Sequence, residues 1–301
     1  MLATACSRPQ KEQTPEMFWP MPPAKPRIQF LDIIIGSIDV AEDGNMFSTL
    51  LFGEDIEASF MKPNFIAAKN GIIYITDITG IHVYDYKRKR YRLYGAGIIA
   101  GATGIDVDSE GNIYVAASYA RKITILDKNG KLKKTITDVK NLSNMGGLFV
   151  DEKNGRFLVA NTRKHRVEVF SLEGSHLFRF GTVGGGPGQM NFPYDVAVDG
   201  EGDILVLDSG NFRVQVFDGQ GNYKWAFGSV GTAPGHFARP KSMALSSDGL
   251  LFVIDAAFGN FQIFNKRGAA FLAVGRTGVQ IAEFMLPMGI AIDEKDKVYV
   301  V

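Results

Sequence analysis

The sequence predicts an all-β fold, a six-bladed β-propeller of four-stranded antiparallel blades closed by N-terminal strands. Three observations predict it. Short runs of Val, Ile, Leu and Phe alternate with turns rich in Gly, Asp and Asn, most plainly from Phe192 to Gly228. The end of the first run recurs at Lys69, Asp108, Asp151, Asp199, Ser246 and Asp293, a period of about 40–48 residues that suits four strands per copy. No helical period accompanies it. One such four-stranded sheet is too small to bury its own apolar side chains, so each copy needs its neighbours.

Taken in chain order, the start holds the single cysteine, Cys6, which excludes an internal disulfide. Small residues precede it in Leu2-Ala3-Thr4-Ala5, which resembles the end of a bacterial lipoprotein signal, so Cys6 is the expected lipidation site. The charged and apolar regions of such a signal are missing, which suggests a truncated start. From Ser7 to Pro26 the chain carries six prolines and no strand pattern. Proline fixes φ and favours extended chain, so 1–26 reads as a semi-rigid tether and 27–301 as the propeller. Arg27-Ile28-Gln29-Phe30 resembles a third strand, and Phe47 to Gly53 a fourth. Copy six stops at Val301 within its second strand, so these two segments are expected to complete the last blade. The stop also suggests natural chain beyond Val301.

The second strands agree in register: Ile73-Tyr74-Ile75, Ile113-Tyr114-Val115, Phe157-Leu158-Val159, Ile204-Leu205-Val206, Leu251-Phe252-Val253 and Val298-Tyr299-Val300. The pattern Pro-x-Gly-Ile-Ala-Val-Asp, Gly-Asn-Ile-Tyr-Val-Ala-Asp and Arg-Val-Gln-Val-Phe resembles the NHL repeat, over roughly Phe47 to Val301. That resemblance implies a six-bladed propeller used mainly as a binding platform.

Composition narrows the function. Hydrophobic content of 46% is that of an ordinary globular protein, and a net charge of +1 gives no global argument for nucleic acid. No apolar run approaches a membrane span, so a membrane link would run only through the lipid anchor. The glycine run Gly184 to Gly188 lacks the ending of a phosphate loop and recurs at Gly231 to Gly235 as a connector. Asp-x-x-Gly-Asn turns such as Asp108 to Asn112 suit hairpins rather than calcium. The four histidines show no metal spacing. His82 follows Asp77 in the slot that Arg213 holds after Asp208, and reads as structural. That Asp/Arg slot repeats as Asn161/Arg166, Ala117/Lys122 and Asp255/Asn260, a structural pairing. No catalytic residue, metal or cofactor is expected.

Departures from the repeat mark candidate sites. First strands crowd the axis and favour small residues, yet Phe65, Asp106, Phe149, Asp195 and Ser242 stand there and are expected at the channel mouth. A buried Asp106 needs a partner or a raised pKa. Loops joining second to third strands, and loops entering first strands, share one face. That face collects Lys62, Tyr119, Arg121, Lys122, Arg163, Lys164, His165, Tyr194, Phe212, Arg239, Lys241 and Phe258. Aromatics with arginine are typical of protein contacts. The opposite face receives Glu110, Asp151, Glu152, Glu201 and Asp293.

The expected function is a non-catalytic scaffold of the bacterial cell envelope, an outer-membrane or periplasmic lipoprotein that binds a protein partner through the basic, aromatic face. Resemblance to envelope propellers suggests a multihaem cytochrome or its assembly machinery. One alternative is a metal-dependent lyase or lactonase with its metal on the axis. Another is RNA binding, which an envelope location would remove.

Overall fold

The computed structural model describes residues 16–21, 23–34, 60–97, 99, 101–137 and 142–301. The chain divides into two compact units, Met1–Ile35 and Gly36–Val301. In the first, Phe18–Trp19 pairs antiparallel with Ile28–Gln29. Arg27 N–H donates to the Trp19 carbonyl at 2.7 Å and Phe30 N–H to that of Met17 at 2.9 Å. This corrects the expectation that the proline-rich stretch holds no strand: it contributes Phe18–Trp19, the partner of Ile28–Gln29, and the short turn between them costs little closure entropy. Phe47 to Gly53 and Cys6 lie outside the described residues.

The second unit is the propeller. Blade 1 comprises Ile66–Lys69, Ile72–Asp77, Gly80–Asp85 and Arg90–Tyr94. Blade 2 comprises Ala102–Val107, Ile113–Ala117, Lys122–Leu126 and Leu132–Thr137. Blade 3 comprises Met145–Asp151, Arg156–Asn161, Arg166–Ser171 and His176–Phe180. Blade 4 comprises Pro193–Val198, Ile204–Asp208, Arg213–Phe217 and Tyr223–Phe227, and blade 5 Pro240–Leu245, Leu251–Asp255, Asn260–Phe264 and Ala270–Val274. All five are four-stranded antiparallel meanders. The sixth copy contributes only Ile290–Ile292 paired with Val298–Val300. The described residues therefore hold five complete blades where six were expected.

First strands contact one another in succession, and Ile290–Ile292 contacts Ile66–Lys69, so the inner ring closes. The Glu294 carboxylate accepts Asn70 N–H at that junction, at 3.0 and 3.1 Å. Gly289 allows the approach: a Cβ there would stand 2.8 Å from the Asn64 carbonyl oxygen.

The core lies between neighbouring sheets, as the small two-faced blades require. Phe157 of blade 3 stacks on Phe170 of the same blade at 5.2 Å and tilts against Tyr114 of blade 2 at 5.4 Å. Leu207, Val253 and Phe264 are fully buried between blades 4 and 5. Each such side chain contributes about 1.5–3 kcal/mol of burial. In blades 2 to 5 the first strand carries a bulge at one shared slot, before Gly104, Leu148, Asp195 and Ser242. A bulge re-aims the side chains beside it, and here it acts next to the axis.

Candidate functional site

The repeated aspartate that ends a second strand holds the loops in place. Asp208 accepts Asn191 N–H at 2.6 Å, Asn211 Nδ2 at 2.8 Å and Arg213 Nε at 2.9 Å. Arg213 also donates to the Gly186 and Gln189 carbonyls, both at 2.9 Å. The glycine-rich run is thus a connector tied to the blade, and Arg213 is spent on it. Asp255 likewise accepts Ala238 N–H at 2.7 Å and Ala257 N–H at 2.9 Å. The ladder pairs Asp208 with Arg213, Asn161 with Arg166, Ala117 with Lys122 and Asp255 with Asn260, as the repeat alignment expects. His82 departs from it. Asp77 pairs with Gly80, and His82 sits opposite Ile75, the place of Gln215 opposite Val206. The blade 1 loop is shorter, which a fixed count from Asp77 misses. Buried His82 lies 3.2 Å from Thr79 Oγ1 and 3.0 Å from Tyr91 Oη, and burial lowers its pKa.

The loop face gathers most of the expected binding residues at its surface. Tyr119 is 87% exposed, and Arg121, Arg163, Lys164 and Arg239 are exposed beside the half-buried Lys122, His165 and Phe258. Arg121, His165 and Phe212 share one slot at positive φ, 48°, 55° and 56°. Non-glycine residues held there store about 1 kcal/mol each. Phe212 is half-buried and packs against the core between blades 4 and 5. Tyr194 also turns inward. Its ring stacks on Phe65 at 5.8 Å with an 18° interplanar angle, and Lys241 Nζ lies 4.4 Å over it. Burial and then Arg239 push the Lys241 pKa down.

Several residues of this face were missed. Met61, Ile78, Phe192, Met285 and Leu286 are exposed on the same set of loops. Phe192 and Leu286 precede Pro193 and Pro287, the slot that holds Lys62 and Arg239 in other copies. That equivalence could have found them.

The channel residues expected from the repeat stand around the axis. Phe65 and Tyr194 come from blades 1 and 4, and their rings stack across the channel toward its loop-face end. Beneath the stack lies a cavity of about 390 Å³ lined by Phe65, Asp106, Phe149, Asp195 and Ser242, reaching Asp199, Ser246 and Ser247 in the turns of the opposite face. Asp106 accepts Val107 N–H and, across to blade 3, Val150 N–H, both at 2.8 Å. Asp195 accepts Val196 N–H at 2.9 Å and, from blade 5, Ser242 Oγ at 2.9 Å and Met243 N–H at 2.8 Å. Burial raises the Asp106 pKa to about 6 and the Asp195 pKa to about 7, the latter helped by the Asp106 charge. Both acids are therefore blade-to-blade ties as well as channel groups. Gly147 makes the room, since a Cβ there would meet Asp195 Oδ1 at 1.8 Å.

Among the described residues no three His, Cys, Asp or Glu side chains are grouped to hold a metal. No helix of the described residues is long and apolar enough to cross a membrane.

The NHL repeat model matches residues 190–217, which run from the connector through the third strand of blade 4. No curated protein matches the chain. Among solved structures, a streptogramin B lyase aligns with 14% identity over 80% of this chain and 90% of its own, at a TM-score of 0.61. An inactive virginiamycin B lyase from Staphylococcus aureus with quinupristin aligns with 16% identity over 77% of this chain and 74% of its own, at 0.58. A chain of a nidogen/laminin complex aligns with 14% identity over 76% and 84%, at 0.61. These likenesses establish the propeller fold, and the family match marks residues 190–217 within it as an NHL repeat.

Proposed function

We propose that this propeller is a non-catalytic scaffold that binds an acidic protein partner through its loop face. The observation that carries this is the mixture of exposed apolar and cationic side chains there: Tyr119 at 87%, Met61 at 69% and Met285 at 65% exposure, on the same face as Arg121, Arg163 and Lys164. Apolar groups offer desolvation energy at the centre of an interface, and surrounding cations speed encounter with an acidic surface. The presence of a similar fold in a nidogen/laminin complex is consistent with such a role.

We further read the molecule as six-bladed, with the two strands of the sixth copy in the sixth place and Phe47 to Gly53 as a candidate strand for completing that blade. Cys6 is the proposed lipid anchor, the bacterial envelope the proposed location, and a multihaem cytochrome or its assembly machinery the proposed partner class. The lyase-like fold neighbours keep an enzymatic reading in view, tested by turnover of cyclic depsipeptides by purified protein.

The decisive experiment reverses charge at Arg121, Lys122, Arg163 and Lys164. Arg121, Arg163 and Lys164 are exposed and Lys122 is half-buried beside them. Charges at such positions contribute little to stability, so the melting temperature should nearly hold while capture of partners from native membranes weakens. A folded variant that captures the same partners at unchanged affinity refutes the assignment.

A further inference from the structure

The axial cavity lies outside the loop face and plays no part in the function just proposed. We propose that it is a second binding site, entered from the opposite face, that takes a compact organic cation, a primary ammonium group on an apolar stem, with Asp106 and Asp195 as counter-ions.

The geometry supplies the pieces. The cavity, of about 390 Å³, is lined at one end by Phe65, whose ring stacks on Tyr194, and reaches Ser246 and Ser247 in the turns at the other. Its walls alternate chemistry by slot. Phe149, Met243 and the small alanines at 67, 197, 244 and 291 give an apolar sleeve, and the two aspartates stand within it. An ionised carboxylate has about four acceptor positions. Asp106 takes two hydrogen bonds and Asp195 three, so both keep acceptor capacity for a donor in the cavity. An ammonium donates three hydrogen bonds and carries the compensating charge.

The same walls argue against a hydrated metal ion. A divalent hard cation seeks six or more oxygens. The side-chain oxygens set within the sleeve are those of the Ser242 hydroxyl and of two carboxylates that already accept five hydrogen bonds between them. The other polar side chains, Asp199, Ser246, Ser247 and Lys266, stand at the turns. An alkyl stem, in contrast, gains from the sleeve. The groups facing the acids from neighbouring elements are Lys69 and Glu152 beside Asp106, with Lys266 and Asp199 at the open end. Without a ligand, burial holds both aspartates above the usual carboxylate range and the Asp106 charge adds to the shift at Asp195, a repulsion that a bound cation would relieve.

The test uses the full chain at pH 8.5 and isothermal titration with n-butylammonium, with butanol and calcium as controls. A lysine-containing tripeptide, blocked at both ends, distinguishes a free amine from a lysine side chain of a protein. Butylammonium should bind and butanol should not. Asp106→Asn and Asp195→Asn should each weaken binding at least tenfold, and Ala244→Leu, which keeps both acids and narrows the sleeve, should abolish it. The charge reversals on the loop face should leave it unchanged, which separates this site from that one. Absence of butylammonium binding, equal binding of butanol, preferential binding of calcium, or undiminished binding by the Asn variants or by Ala244→Leu would overturn the proposal.

Discussion

Replacing Asp195 by asparagine should make the protein more stable at pH 8 and less responsive to pH. The argument starts from the folded-state pKa of about 7 against an ordinary value of 3.8. The pKa is raised, so the folded state binds the proton more tightly than the unfolded chain. The resulting stabilisation is full below the unfolded value and disappears as pH rises through about 7. About three pKa units at 1.36 kcal/mol each make about 4 kcal/mol. Asp106, at about 6, adds a smaller contribution of the same sign, about 3 kcal/mol. Because the two acids interact, they titrate as a pair and the two figures do not simply add. Asparagine at 195 cannot ionise, and its side-chain oxygen can still accept Val196 N–H, while the Ser242 hydroxyl can rotate to accept from its amide. Met243 N–H loses its acceptor, a pH-independent cost of about 1–3 kcal/mol that reduces the net gain at pH 8 without changing the slope. The assay is urea unfolding of wild type and variant from pH 4.5 to pH 8.5. The difference between them should grow toward high pH in favour of the variant and reach the order of several kcal/mol. Using the difference removes every titrating group that does not interact with Asp195, leaving Asp195 and its coupling to Asp106. A variant that keeps the wild-type slope, or loses ground as pH rises, would refute the reasoning.

Two further outcomes follow from the same geometry. His82 is held neutral by burial, so its folded pKa is lowered and its contribution disappears as pH falls from about 6.5, the unfolded value, through the folded one; His82→Gln, the residue of the equivalent slot in blades 4 and 5, should flatten that part of the stability curve. Arg213→Ala leaves Asp208 buried without its guanidinium and frees the connector, so a loss of about 3 kcal/mol with faster amide exchange at Gly188 and Gln189 is expected, and an unchanged exchange pattern would count against the connector role.

The blades were legible because their signals are local. Alternating apolar runs, glycine turns and a constant period state the strand pairing directly, and the pairs Asn161/Arg166 and Asp208/Arg213 fell where the alignment put them. What the repeat could not show was distance across the ring. Phe65 and Tyr194 are separated by three blades in sequence, so nothing local signals that they stack. The half-burial of Phe212 was hidden for a similar reason: a loop aromatic reads as surface until the neighbouring blade arrives to cover part of it. Ile28–Gln29 has a third-strand pattern but finds a nearer partner in Phe18–Trp19. His82 shows that a slot counted through a loop of unequal length slips, whereas one counted along a ladder does not.

The departures at the axis are coupled rather than separate accidents, and this can be measured. Asp195 fits only because residue 147, in the neighbouring blade, has no side chain: a Cβ there would lie 1.8 Å from Oδ1. Backbone and a carboxylate tied at Oδ1 by Val196 N–H and at Oδ2 by Ser242 and Met243 cannot move apart cheaply. Gly147→Ala should therefore displace Asp195, break the tie between blades 4 and 5, and destabilise the protein by about 2 kcal/mol or more, the cost of leaving buried donors unpaired. In an Asp195→Ala background the obstacle is gone, and the same alanine should cost little. The two changes should show a coupling energy of about 1–3 kcal/mol in a double-mutant cycle read by denaturant unfolding. Additive effects would mean that Gly147 is required by its own backbone and not by the carboxylate, and the axial pairing of these blades would need another explanation.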